Sequence, residues 1–198
     1  MKKRLHNSRK GRALLYALLL AAVILVSSAA GFYRFLPQQA ILDSAETQGI
    51  EMLESVMWVK GENPSGGGKA WFTLSAGERT LFFCPVMFRL QNGWQTGTYE
   101  VVETWRGEGS YFGVWQHAGS AVTYLFGRED DLTAGALTVC AKAESGTIWS
   151  REVSPDWTEK DGKHYFIAEL NGAPKDCEYS VTLGDGRTVE VRNVFHWW

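Results

Sequence analysis

The sequence is short of the residue types on which most catalytic and metal sites depend. Its four histidines are scattered, so no two of them lie at the spacing of zinc ligands. Its three cysteines are too few, and odd in number, for a disulfide scaffold. No motif for nucleotide binding or catalysis stands out. We therefore expect a protein that is not an enzyme and has neither a metal site nor another cofactor.

Acidic residues are absent from residues 1–34, which hold seven basic side chains. Residues 35–198 hold the other 13 basic and all 22 acidic side chains, so their formal charge is −9. An acidic domain without a basic cluster is a poor partner for nucleic acid or for anionic lipid. The charge therefore argues against both partner classes, and we expect no nucleic acid as a partner.

A run of 21 residues without charge, from Ala13 to Tyr33, is long enough as a helix to cross a hydrocarbon core of about 30 Å. Six basic residues precede it, and Arg34 is the first charge after it. This asymmetry predicts a cytoplasmic N-terminus and an external C-terminal part. The alternative is a secretory signal cleaved near Ala30. Its apolar core would span about 7–15 residues, fewer than the uncharged run provides.

The run divides the chain into four predicted parts. They are a basic cytoplasmic tail (1–12), a transmembrane signal-anchor helix (13–33), a short helical connector (34–49) and an extracytoplasmic β-sandwich domain (50–198). The connector is predicted to be helical because Pro37 suits a first helical turn and Ile41 and Ala45 recur at helical spacing before Gly49. About 165 residues after the anchor are enough for one domain with its own core.

From Met52 onward, short runs rich in valine, threonine and aromatic residues alternate with turn signals. The predicted strands are 52–60, 69–75, 79–90, 98–105, 111–117, 121–126, 135–143, 147–153, 164–170, 177–183 and 188–195. The second and third of these are predicted to form a hairpin, and the third is apolar enough to be covered on both faces. The absence of a strand–helix rhythm predicts a mainly β fold, either an antiparallel sandwich or a barrel.

The nine tryptophans are an unusual number. Three of them lie in the middle of predicted strands and are expected in the core: Trp71, Trp105 and Trp115. Four others lie near turns or at the end of the sequence and are the predicted ligand-binding residues: Trp94, Trp157, Trp197 and Trp198. Exposed indoles offer flat apolar faces on which sugar rings stack, which makes glycan binding one functional hypothesis. The alternative is ordinary packing of large aromatic side chains.

Two cysteines, Cys140 and Cys177, lie in predicted strands of the C-terminal half, and an oxidising compartment would allow them to form a disulfide. Cys84 lies within an apolar strand and is expected to be buried.

The segment Ala136-Leu137-Thr138-Val139-Cys140 resembles the Thr-Leu-x-Thr-Cys strand of sortases, which are small, singly anchored cysteine transpeptidases. The resemblance implies a nucleophile at Cys140, an activating histidine and an arginine, for which Arg151 is the candidate. The family's histidine precedes the cysteine by several strands, whereas His117 is only 23 residues upstream. Because a thiol needs a base beside it, this chemistry also requires His117 or His164 next to the sulfur.

Several segments follow one another in the order of the closing strands of immunoglobulin-like extracellular modules: Phe126-Gly127-Arg128-Glu129, the strand to Cys140, Tyr165-Phe166 and Tyr179-Ser180-Val181. The whole chain resembles small, singly anchored extracytoplasmic β-sandwich proteins of Gram-positive bacteria. This resemblance implies an immunoglobulin-like sandwich and no particular activity, and the Cys…Trp…Cys pattern of true immunoglobulin domains is missing. We therefore expect a non-catalytic interaction module at the cell envelope, with a protein or a glycan as its partner.

Overall fold

The computed structural model describes residues 9–31, 33–50, 54–62, 69–77, 80–97, 100–102, 110–117, 122–130, 135–144 and 146–196. The helices are α1 (Arg9–Ala29) and α2 (Pro37–Thr47). The strands are β1 (Glu54–Glu62), β2 (Lys69–Ala76), β3 (Leu81–Arg89), β4 (Gly93–Thr96), β5 (Glu100–Val102), β6 (Tyr111–His117), β7 (Val122–Glu129), β8 (Leu137–Ala143), β9 (Gly146–Val153), β10 (Thr158–Lys160), β11 (Lys163–Asn171), β12 (Glu178–Thr182) and β13 (Thr188–His196). The mainly β fold predicted from the sequence is confirmed.

The first helix is long and apolar enough to cross a membrane, and none of its side chains is buried against the rest of the chain. It ends at Ala29, before Gly31, which has a φ of 68°. A left-handed residue just past the last turn is a common way to end a helix, and glycine adopts it without strain. The side-chain amide of Gln39 donates to Ser28 Oγ over 3.0 Å, which ties the end of α1 to the first turn of α2.

The strands form two sheets. The smaller, sheet A, has the order β1-β2-β3-β4, with β5 also paired to β3. The larger, sheet B, has the order β10-β11-β7-β6-β13-β12-β8-β9. The predicted hairpin is present as β2 and β3. The neighbouring strands pair antiparallel as predicted, with one exception, because β13 runs parallel to β6. Two of the short strands, β4 and β10, were not predicted.

The buried apolar side chains of the described residues form three cores. Sheet B curls like half a barrel around an inner core, to which β6, β7, β8, β11, β12 and β13 all contribute buried side chains. The outer side of β6, β7 and β11 packs against β2 and β3 and forms the core between the sheets. The third core lies between α2 and the other side of sheet A. The architecture is therefore a helix on a β-sandwich whose second sheet is curled.

Strands β3 and β7 are covered on both faces because each lies between two of these cores. On β7, Leu125 belongs to the inner core, whereas Tyr124 and Phe126 point into the core between the sheets. On β3, Phe83 packs between the sheets, whereas Cys84 lies under α2. The uninterrupted apolar run of β3 had predicted this double coverage correctly.

Candidate functional site

The outer face of sheet A is only partly covered by α2. Ile41 and Ala45 of this helix pack on the β3 side chains Phe82, Cys84 and Val86. An 11-residue helix spans only about 16 Å at 1.5 Å per residue, so it leaves part of the sheet face open.

A groove of about 420 Å³ lies in the uncovered part, lined by Pro37, Trp58, Trp71 and Trp94. Its volume falls within the range of small-molecule sites, which is roughly 300–1,000 Å³. The proline is the first residue of α2, and the tryptophans come from β1, β2 and β4. Three separate strands and the start of the helix therefore supply one aromatic surface.

Strand register explains why the three indoles share one face. Trp58 is paired with Thr73, which is two residues from Trp71 and so points to the same side of the sheet. Trp71 is paired with Val86 of β3, and Val86 in turn is paired with Thr96 of β4. Trp94 precedes Thr96 by two residues and therefore also points outward.

The groove has almost no polar lining. The only polar side-chain atoms that its four residues carry are the three indole nitrogens. Trp71 is 38 % exposed, whereas Trp58 and Trp94 are half-buried. The Trp94 ring packs edge-on against Phe88, with ring centroids 5.6 Å apart, which holds one wall of the groove in place. Such a surface suits a ligand that presents an apolar face or chain.

The predicted tryptophan set does not assemble into one site. Trp94 lies in the groove, on a strand rather than in a turn. Trp157 lies elsewhere: its ring is 4.7 Å from that of Phe166, and its Nε1 donates to Gly135 O over 3.1 Å. It thus covers the inner core of sheet B. The remaining two predicted residues, Trp197 and Trp198, fall outside the described residues.

Among the tryptophans expected in the core, Trp115 is fully buried, as predicted. The prediction for Trp71 was wrong, because its side of β2 is not covered by α2 and the ring lines the groove. Trp105 lies outside the described residues. Trp58 was missed as a site residue. Its pairing across β1 and β2 was the signal that would have placed it beside Trp71.

The cysteines form no disulfide in this structure. Cys140 lies on the face of β8 opposite to Val139 and Ala141, and its Sγ is 3.4 Å from Ser150 Oγ. Cys177 belongs to the inner core instead, and its thiol donates to Lys175 O. Because the two sulfurs lie on opposite faces of sheet B, the predicted pairing is not made.

The fold also keeps the candidate bases away from Cys140. His164 lies two residues before Phe166 on β11 and shares its inward face, whereas Cys140 points outward. β6, which carries His117, is separated from β8 by β13 and β12. Neither histidine is placed to activate the thiol in the way that the sortase-like hypothesis requires.

A separate polar cluster lies at one end of sheet B. The buried carboxylate of Glu129 accepts a hydrogen bond from Ser110 Oγ and lies 3.7 Å from the Arg187 guanidinium. His164 is the residue paired with Glu129 across β7 and β11. The serine hydroxyl and the guanidinium both face the carboxylate of Glu129, so this cluster compensates a buried carboxylate.

Comparison of the chain with models of protein families, with curated proteins and with solved structures finds no match. The chemistry of the groove and its position next to α1 are therefore the features that bear on function.

Proposed function

We propose that this chain is a single-pass membrane protein with an external, non-catalytic binding domain, and that its groove binds a hydrocarbon chain of a membrane lipid. The length and apolar character of α1, with Arg9, Lys10 and Arg12 at its start, support an anchor with its N-terminus in the cytoplasm. The domain that follows is then extracytoplasmic.

The observation that carries the lipid assignment is the position of the groove. The backbone N–H of Trp94 donates to Arg34 O over 2.9 Å. Arg34 follows the last residue of α1, Ala29, by five positions, which is at most about 17 Å of chain. Pro37, another residue of the groove, follows three positions later. Two walls of the groove are thus fixed next to the point where the chain leaves the membrane.

The lining favours a hydrocarbon chain over a sugar. Each methylene transferred from water to such a surface contributes about 0.8 kcal/mol, and a chain makes no demand for hydrogen bonds. A sugar would stack on an indole equally well, but most of its hydroxyls would face carbon atoms and lose their hydrogen bonds to water. Indole N–H groups donate only, so the side chains of the four described lining residues offer no acceptor for a hydroxyl proton.

The test uses the full-length protein in lipid nanodiscs that contain a phospholipid with a photoactivatable diazirine in its acyl chain. After irradiation, the cross-linked peptides are mapped by mass spectrometry. We expect cross-links on β1, β2 or β4 in addition to those on α1. Trp71→Ser removes one wall and should lower the cross-linking of the domain about tenfold, the equivalent of losing about 1.4 kcal/mol of binding energy.

The matched control is Ile148→Ser on β9, which replaces another exposed apolar residue outside the groove. It should leave the cross-linking unchanged. Cross-links confined to α1 in the wild-type protein would overturn the lipid assignment. If soluble envelope saccharides instead gave a saturable change in tryptophan fluorescence that Trp71→Ser abolished, the groove would be a glycan site.

The anchor has a separate test. Intact mass of the chain recovered from the membrane fraction should include α1, and alkaline carbonate should not extract it. A mature chain that begins at Gly31 would mean that residues 1–30 are a cleaved signal sequence and would overturn the single-pass assignment.

A further inference from the structure

The last residues of β3 and the turn that follows them, together called the β3–β4 turn here, expose two large apolar side chains. β3 is buried from Leu81 to Met87, but Phe88 is 49 % exposed and Leu90, in the turn, is 88 % exposed. Leu36, just before α2, is exposed as well. A large apolar side chain that is exposed to water does not gain the stabilisation that burial would give it. Several exposed apolar side chains close together often mark a surface that binds a partner or a membrane.

Backbone contacts fix this turn to the segment that follows α1. Arg34 forms a parallel bridge with Gly93, and its N–H donates to Asn92 O over 3.2 Å. The approach is close, since a Cβ on Gly93 would lie 2.2 Å from Arg34 O. On the side-chain level, the Tyr33 ring packs edge-on against Phe88, with centroids 6.5 Å apart. These contacts hold the turn against residues 33–34, which follow the last residue of α1 by four and five positions.

We propose that the β3–β4 turn inserts Phe88 and Leu90 into the interface of the outer leaflet and forms a second membrane attachment for the domain. The inference rests on the anchor proposed above and is independent of the occupant of the groove. Tyr33 belongs to a residue type that is enriched at the headgroup level of membrane proteins. Arg89, between the two apolar residues, has a stem long enough to keep its charge in the headgroup region while its neighbours enter the acyl boundary.

A lipid bilayer fits this surface better than a protein partner does, because the turn adjoins the exit point of α1. A surface held within a few residues of that point lies within reach of the interface. A second attachment would prevent the domain from rotating freely about the connector, and it would keep the groove next to the lipid.

The experiment uses the full-length chain, with α1 verified by intact mass, reconstituted in phosphatidylcholine vesicles. Leu90→Cys is labelled with an environment-sensitive NBD fluorophore in a Cys140→Ser background, since Cys84 and Cys177 are buried. The control carries the label at Glu144→Cys, an exposed position in the turn after β8. β8 and β9 lie at the edge of sheet B that is remote from the strands packed on sheet A.

We expect the Leu90 label to emit at shorter wavelength than the Glu144 label and to be quenched when the vesicles contain brominated acyl chains. The Glu144 label should emit as in water in both vesicle types. A Leu90 label that remains as water-exposed as the Glu144 label would overturn the proposal. A Phe88→Glu substitution adds a charge next to the turn and should shift the Leu90 emission toward that of the control. Since no result here depends on cross-links to the tryptophans, failure of this inference is distinguishable from failure of the lipid site.

Discussion

The hydroxyl of Tyr124 rests against the backbone of Gly61. A Cβ built on Gly61 would lie 2.1 Å from Tyr124 Oη and 2.8 Å from a ring carbon of Phe72. Gly61 belongs to β1 of sheet A and Tyr124 to β7 of sheet B, so this contact marks a place where the two sheets approach closely. Any side chain at position 61 has to displace an aromatic ring in a packed core.

Gly61→Ala is therefore expected to destabilise the domain by about 1–3 kcal/mol, the usual cost of overpacking a core. Each kcal/mol should lower the Tm by about 2–4 °C for a domain of this size. Gly135→Ala is the control, because a Cβ there meets no heavy atom within 4 Å. Thermal and urea unfolding of both variants provide the measurement. Equal stability of the two would contradict the sheet contact described here.

Two phenylalanines of β3 offer a comparison between burial and exposure. Phe83 is fully buried, and its ring stacks on Phe126 with centroids 4.5 Å apart. Phe83→Ala should cost about 3–5 kcal/mol, because it leaves a cavity between the sheets. Phe88→Ala, on the exposed end of the same strand, should cost about 1 kcal/mol or less in detergent, since it loses only partial contacts. Urea unfolding gives both values, and a smaller cost at position 83 than at position 88 would refute the assignment of the core.

Alkaline pH should destabilise the domain through Cys84. Burial raises the pKa of this thiol from 9.0 to about 12, although the hydrogen bond with Thr73 opposes the shift. The unfolded chain loses its thiol proton above pH 9, whereas the folded chain keeps it until about pH 12. The stability that comes from the neutral thiol is thus fully present below pH 9 and is lost as the pH rises from 9 toward 12. The slope of the unfolding free energy against pH is set by the difference between the number of protons bound in the unfolded and in the folded chain. Burial also raises the pKa of Tyr179 to about 12, which adds a loss above pH 10.

The measurement is the free energy of unfolding from urea titrations at pH 8, 9, 10 and 11. Cys84→Ala should lower stability at pH 8 by about 1 kcal/mol through a small cavity. Its loss of stability between pH 9 and 10 should be smaller than that of the wild type, because the titrating thiol is gone. Parallel curves for the two proteins over this interval would show that Cys84 is not protected as described.

Local sequence patterns predicted most of the strands, but of the four residues that line the candidate site they singled out only Trp94 as a ligand-binding residue. The apolar run of β3 indicates double coverage directly, because both its odd and its even positions are apolar. The groove depends instead on where a short helix stops covering a sheet, which alternation within one strand does not reveal. Trp71 therefore had the pattern of a core residue, although it lies beyond the cover of α2.

The unpredicted features are short or non-local. β4 spans four residues directly after a turn, so its sequence has too few positions for an alternation to appear. The parallel pairing of β6 with β13 joins segments about 80 residues apart, and nothing in either segment specifies the other. The contact between Gly61 and Tyr124 likewise depends on how the two sheets pack.

The position of β13 has a consequence for the order of assembly. This strand lies between β6 and β12, in the interior of sheet B, and joins β10-β11-β7-β6 to β12-β8-β9. Until residues 188–196 have joined the sheet, the two groups of strands have no shared partner and the inner core has no closed wall. Completion of the larger sheet is thus a late event in assembly, and a chain that stops before Thr188 would expose two unpaired strand edges, which are templates for pairing with other chains.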